Sequence, residues 1–305
     1  MKRIYRVYKK TVSIVNETAT GMYRNLVGKK KGFLLESYDK NYDRYTFFGA
    51  EPEEIISSEG NSLVITKRDG SREVREGNPL ERLKEYYNEF EIRKDNEELN
   101  FSGGLVGSVG YDFIRYTEQL PEENPDEIGI ETVQFMLMKE FIMVDHVAET
   151  LTAIVLESDD ESGRQAAMEK AERMIAEAMK EQQEGSLPLK QDGVIVKKSD
   201  SLEEYSRKVN RIKQYIRDGH IFQTVLSQRW TIETGQDGFD LYRELRALNP
   251  SPYLYYFNFG DFEIIGSSPE MLVKQQGKRV FTCPIAGTRP RGKTPEEDKA
   301  LSEEL

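Results

Sequence analysis

Short apolar runs broken by turn residues dominate the first half of the chain, and this pattern limits the fold more than any other feature. Ser62-Leu63-Val64-Ile65-Thr66 is followed by Asp69-Gly70, the alternation and punctuation of a strand and its hairpin turn. The residues from Phe135 to Val144 and from Leu151 to Val155 read as two further strands around a turn from Asp145 to Thr150. A helix from about Pro79 to Phe90 interrupts them. This half is α+β with a large antiparallel sheet. Between Ser162 and Gln182 the period changes: Ala167, Ala171, Met174, Ile175 and Met179 fall near helical spacing with charged residues opposite, a helix that closes the first domain.

The stretch Gln183 to Gly193 mixes Gly, Pro and polar residues without periodicity and reads as a linker. Ser201-Leu202-Glu203-Glu204 is a capping box, and Leu202, Tyr205, Val209, Ile212 and Ile216 give the following helix an apolar stripe that stops at Gly219. That helix leads into an expected strand from Phe222. Tyr253–Phe259 and Phe262–Gly266 around Gly260-Asp261, then Met271–Lys274 and Arg279–Ile285 around Gln276-Gly277, predict an antiparallel meander. Thr294-Pro295-Glu296-Glu297 caps one more helix, which reaches Leu305 without a stop signal, as a truncated chain would. The expected domains are therefore 1–182, a linker at 183–193, and 194–305 as the first part of a second domain. The expected fold class is α+β: antiparallel sheets packed as a sandwich, helices around them, and an incomplete catalytic half.

With 43 basic and 54 acidic residues the formal charge is −11, which disfavours nucleic acid and anionic membrane as partners. No window approaches the roughly 20 apolar residues of a membrane span, so the expected location is the cytoplasm. Cys283 is the single cysteine, which excludes an internal disulfide, and two histidines, His146 and His220, exclude a multi-histidine metal site.

The loop that opens from Phe281-Thr282-Cys283-Pro284-Ile285 into Ala286-Gly287-Thr288-Arg289-Pro290-Arg291-Gly292 has the chemistry of an anion site. Gly287 lets a ligand approach the backbone, Thr288 adds a hydroxyl, and Arg289 and Arg291 carry planar donor forks. Read together with Leu34-Leu35-Glu36-Ser37, Arg44-Tyr45-Thr46-Phe47-Phe48-Gly49, Gly103-Gly104-Leu105-Val106-Gly107, Ile221 to Arg229, Asn249-Pro250-Ser251-Pro252-Tyr253 and Gly266-Ser267-Ser268-Pro269-Glu270, it resembles the chorismate-utilising enzymes, and within them the anthranilate-forming branch.

That resemblance implies a reaction and residues for it. Chorismate would be bound at Gly287 and Thr288 with help from Mg²⁺, whose ligands are expected in a carboxy-terminal segment beyond this chain, so no metal ligand is assigned within it. Glu270 would be the acid that protonates the departing ring hydroxyl, held protonated by an apolar or crowded setting. Two positions specify the reaction. Gln223 stands where water-activating relatives carry Lys, and Ala286 where aminodeoxychorismate synthases carry a nucleophilic Lys, so both favour ammonia addition and pyruvate loss. Glu36, Ser37, Pro252 and Tyr253 match a tryptophan feedback pocket, with Leu254 where the family often has Met. The implied partner is a glutamine amidotransferase subunit (component II), because no cysteine–histidine–acid set is available around Cys283, whose strand setting reads as packing. The chain alone is expected to be inactive. The alternatives are an aminodeoxychorismate synthase component and a non-catalytic tryptophan-sensing module.

Overall fold

Alternation along the chain becomes two sheets packed face to face. The computed structural model describes residues 2–15, 17–37, 44–94, 99, 101–121, 124–181, 196–285, 287 and 289–304. The chain groups into two compact units, Met1–Glu184 with Tyr242–Leu305, and Gly185–Leu241. The linker expected at 183–193 lies outside the described residues.

The elements run in order β1 Arg3–Ser13, α1 Ala19–Leu26, β2 Gly32–Glu36, β3 Tyr45–Ala50, β4 Glu54–Glu59, β5 Ser62–Lys67 and β6 Arg72–Glu76. Next come α2 Pro79–Asn88, β7 Phe90–Arg93, β8 Gly104–Val109, a short 3-10 turn Tyr111–Tyr116, β9 Val133–Met138, β10 Glu140–Asp145, β11 Thr150–Glu157 and α3 Glu161–Ala178. The remainder is β12 Val196–Lys198, α4 Leu202–Arg217, β13 Trp230–Ile232, α5 Gly238–Leu248, β14 Tyr253–Asn258, β15 Glu263–Ser268, β16 Lys274–Gln276, β17 Arg279–Phe281 and α6 Pro295–Glu304.

In the larger unit an eight-stranded sheet has the order β15-β14-β2-β3-β10-β11-β1-β7 and a five-stranded sheet the order β6-β5-β4-β9-β8. Pairing is antiparallel except where β1 lies parallel to β7. Phe33, Phe47, Phe141, Ile154 and Phe257 of the large sheet meet Val106, Met136 and Met138 of the smaller one, so the main core is the sandwich interior. Burying each such side chain contributes roughly 1.5–3 kcal/mol, which is why the alternation dictates the layer. A second core joins Ile56, Leu63, Ile65 and Leu137 of the five-stranded sheet to Tyr86 of α2. Helix α3 packs on β1 and β11 and against α1. Lys170 fastens it by reaching Glu140 at 2.6 Å and Glu157 at 2.8 Å.

One expectation is corrected at Lys139. The apolar run from Phe135 to Val144 is two strands, β9 on the smaller sheet and β10 on the larger. A strand cannot sit in both hydrogen-bond ladders, so the chain turns at the polar residue and crosses between layers. A second correction concerns Phe222. Residues 221–229 form no strand; regular pairing begins only at Trp230, which faces Lys198 on β12. The local pattern supplies strand-forming residues, but a strand also needs a neighbouring ladder to pair with.

Within the smaller unit, α4 starts at the capping box read from sequence. Glu204 N–H donates to Ser201 Oγ at 3.2 Å, and Ser201 N–H donates to the Glu204 carboxylate at 2.9 Å. Tyr205 donates to the Leu226 carbonyl at 3.3 Å, and Lys208 pairs with Asp200 at 2.5 Å. The apolar stripe of α4 nevertheless holds no buried residue.

Candidate functional site

Two places in the larger unit gather the residues singled out from sequence. The first lies where β2 and β14 pair side by side. Glu36 stands opposite Leu254, and Tyr253 stands opposite Ser268 on β15. Ser37 follows Glu36, and Pro252 precedes Tyr253, so the structure brings the four expected pocket residues to adjoining strand ends. The Glu36 side chain is only 3% exposed, yet it is not left as an uncompensated charge. Arg246 donates to Glu36 Oε2 through Nε at 3.0 Å and approaches Oε1 through Nη2 at 3.5 Å, and the Tyr242 hydroxyl donates to the same Oε2.

Tyr242 and Arg246 are functional candidates that the sequence reading missed. Their signal was present: they are four residues apart on α5, hence on one face. What the sequence lacked was the partner, more than 200 residues away. Tyr242 is wholly buried and packs at 5.9 Å from Tyr256, which meets Tyr23 of α1 edge-on at 5.8 Å. Burial, and then the Glu36 carboxylate beside it, push the Tyr242 phenol well above its ordinary range, so it stays a donor at any physiological pH.

The second place is the end of β15 and the loop after β17. Gly266 lets the Tyr255 ring lie across it, since a Cβ there would come within 2.0 Å of that ring. Glu270 follows shortly after, and its Oε1 accepts from the Ile285 N–H at 3.0 Å. That bond sets the carboxylate beside the start of the 286–288 loop. Ala286 and Thr288 themselves lie outside the described residues, and Gly287 is exposed. The crowded apolar setting expected around Glu270 is not formed by the described residues. Glu270 is exposed, because the neighbouring hairpin β16–β17 has three residues per strand and buries none of them. Cys283 is exposed as well, which corrects its reading as a packing residue.

The two arginines of this loop each meet a carboxylate of α6. Arg291 grips Asp298 at the start of α6 with both Nε (2.8 Å) and Nη2 (2.6 Å), and Arg289 reaches Glu304 at 3.3 Å. Gly292 donates its N–H to the same Asp298 at 2.7 Å, an approach that a Cβ would block by meeting the Asp298 nitrogen at 2.1 Å. The Arg291 guanidinium, then the Gly292 amide, hold the Asp298 carboxyl down at about 2. Arg291 and Arg289 thus tie the loop to α6. In the smaller unit Gln223 sits exposed in the irregular 221–229 segment. Among the described residues, no three His, Cys, Asp or Glu side chains come together as a metal site.

A two-sheet α+β body that carries chorismate-type loop motifs defines the class. The chain belongs to the family of chorismate binding enzymes, whose family model matches residues 31–305. Among individual relatives, anthranilate synthase component 1 of Acetivibrio thermocellus is 37% identical over 318 residues, covering 100% of this chain and 64% of that protein. The Pseudomonas putida protein of the same name is 34% identical, covering 95% of this chain and 61% of its own length. The crystal structure of anthranilate synthase component I from Streptococcus pneumoniae superposes with a TM-score of 0.71 at 30% identity, covering 96% of this chain and 63% of that one. The menaquinone-specific isochorismate synthase of Escherichia coli shares the fold, with a TM-score of 0.58 at 13% identity over 99% of this chain and 59% of that one. The chain therefore spans under two thirds of the length of these relatives. No helix among the described residues is long and apolar enough to cross a membrane.

Proposed function

We propose that this protein is the large subunit of an anthranilate synthase, converting chorismate and ammonia to anthranilate and pyruvate in the cytoplasm and inhibited by tryptophan. The observation that carries the reading is the hydrogen bond from Ile285 N–H to Glu270, which supports a shared site for the acid and the loop 15 residues downstream. In that site Glu270 gives its proton to the departing ring hydroxyl as ammonia adds to the ring, and pyruvate is then eliminated. Gly287 and Thr288 would meet a substrate carboxylate with a backbone amide and a hydroxyl. An amide at Gln223 cannot activate water, and a methyl at Ala286 cannot form a covalent adduct. Both identities favour ammonia as the nucleophile and weigh against an aminodeoxychorismate synthase.

Mg²⁺, when bound, would neutralise and orient the carboxylates of chorismate. Ammonia would come from a glutamine amidotransferase partner. The Glu36, Ser37, Pro252 and Tyr253 cluster is the tryptophan pocket in this reading, with Glu36 taking the ligand ammonium, Ser37 a polar contact, and Pro252 and Tyr253 walling the indole. The test is anthranilate fluorescence from chorismate, Mg²⁺ and ammonium with the full natural chain. Product that tryptophan suppresses, and that falls by about a hundredfold or more in Glu270→Gln, supports the assignment. No product, with tryptophan still bound, would favour the non-catalytic sensing module instead.

A further inference from the structure

In the proposed pocket Glu36 receives the ligand ammonium, and its two oxygens are not equivalent. Among the described residues, Oε2 accepts both the Tyr242 hydroxyl and Arg246 Nε, while Oε1 has only the long 3.5 Å approach of Arg246 Nη2. A carboxylate offers about four acceptor directions, so Oε1 retains room for one more donor. Tyr242 cannot swing away, because it is wholly buried against Tyr256. Arg246, 41% exposed on its side chain, binds through its Nε edge and keeps the carboxylate from rotating.

We infer that Arg246 and Tyr242 are positioning residues of the amino-acid pocket: by occupying Oε2 they keep Glu36 aimed so that Oε1 receives the ligand ammonium. This rests on the pocket reading given under the proposed function, and it adds that ligand selectivity for an ammonium is set from α5. Arg246 acts through Glu36 and touches no part of the ligand. Its removal therefore costs affinity only where the ligand has an ammonium and the protein has the Glu36 carboxylate.

The experiment is isothermal titration of tryptophan and of indole-3-propionate, which lacks the ammonium, into the full chain and into Arg246→Met, Glu36→Gln and the double variant. Arg246→Lys serves as the conservative rescue. The expected result is that Arg246→Met weakens tryptophan by about tenfold or more and that Lys restores part of the loss. Indole-3-propionate should be unchanged by Arg246→Met, and the Arg246→Met effect should vanish in the Glu36→Gln background. An unchanged affinity for tryptophan in Arg246→Met, equal losses for both ligands, or additive losses in the double variant would overturn the inference. The double variant also removes the buried unpaired charge, so it stays measurable should Arg246→Met alone fold poorly. Absence of tryptophan binding to the unmodified chain overturns the pocket reading and this inference together, whereas binding without the Arg246 dependence overturns only the inference.

Discussion

In the sheet sandwich Phe33, Phe48, Ile56, Leu63 and Phe141 are wholly buried, whereas Phe222 in the smaller unit is fully exposed and Val225 is 84% exposed. Both regions have the apolar residues that strands or amphipathic helices call for. Among the described residues only the first has a second surface to bury them against. The difference teaches that periodicity specifies which face wants a partner, and that burial follows only when the partner is present. The 270–292 stretch behaves like the smaller unit: Leu272 is 89% and Ile285 60% exposed. Glu36 belongs to the buried regime, and the loop after β17 to the exposed one.

Substitutions sharpen that contrast in descending order of effect. Phe141→Ala, in the middle of the sandwich core, is expected to lower stability by about 3–5 kcal/mol, measured by urea unfolding. Next comes Arg3→Met. Arg3 lies 2.7 Å from the buried Glu54, stacks 4.2 Å from the Phe90 ring, and shares Glu54 with the Tyr86 hydroxyl. Losing this cation leaves Glu54 with one partner and costs about 2–3 kcal/mol in the same assay. Ser201→Ala removes one half of the exposed capping box and should cost about 1 kcal/mol, read as lost helicity of α4 by circular dichroism.

A pH titration probes the exposed regime without a substitution. The Asp298 carboxyl is depressed from an ordinary value of 3.8 to about 2, so its contribution to holding α6 is fully present above pH 3.8 and disappears as the pH falls through 2. An NMR titration of that carboxyl should therefore show a midpoint near pH 2; a midpoint near 4 would mean that Arg291 does not hold it. The smallest effect belongs to Phe222→Ser, expected to change stability by no more than about 0.5 kcal/mol. A loss of several kcal/mol there would break the comparison, because it would mean that Phe222 is covered.

What was legible in the sequence was local. The strand at 62–67, the capping box at Ser201 and the hairpin around Gly260 follow from a few consecutive residues, and the structure has them. What was not legible was pairing at a distance. The sheet change at Lys139, the parallel match of β1 with β7, and the place of β14 and β15 beside β2 all depend on residues far apart in sequence. The same divide runs through the sites. Glu36, Ser37, Pro252 and Tyr253 were singled out through the family resemblance, while Tyr242 and Arg246 look like ordinary helix residues until Glu36 is set against them. The Asp298 and Glu304 carboxylates that pair with Arg291 and Arg289 lie on α6, a contact that the loop motif itself does not announce.

The most direct test of this division is hydrogen exchange of the chain with and without tryptophan, read peptide by peptide. The account predicts slowed exchange at residues 32–37 and 251–256, with no change at 270–285. Protection appearing at 270–285 instead, or none at 32–37, would contradict it.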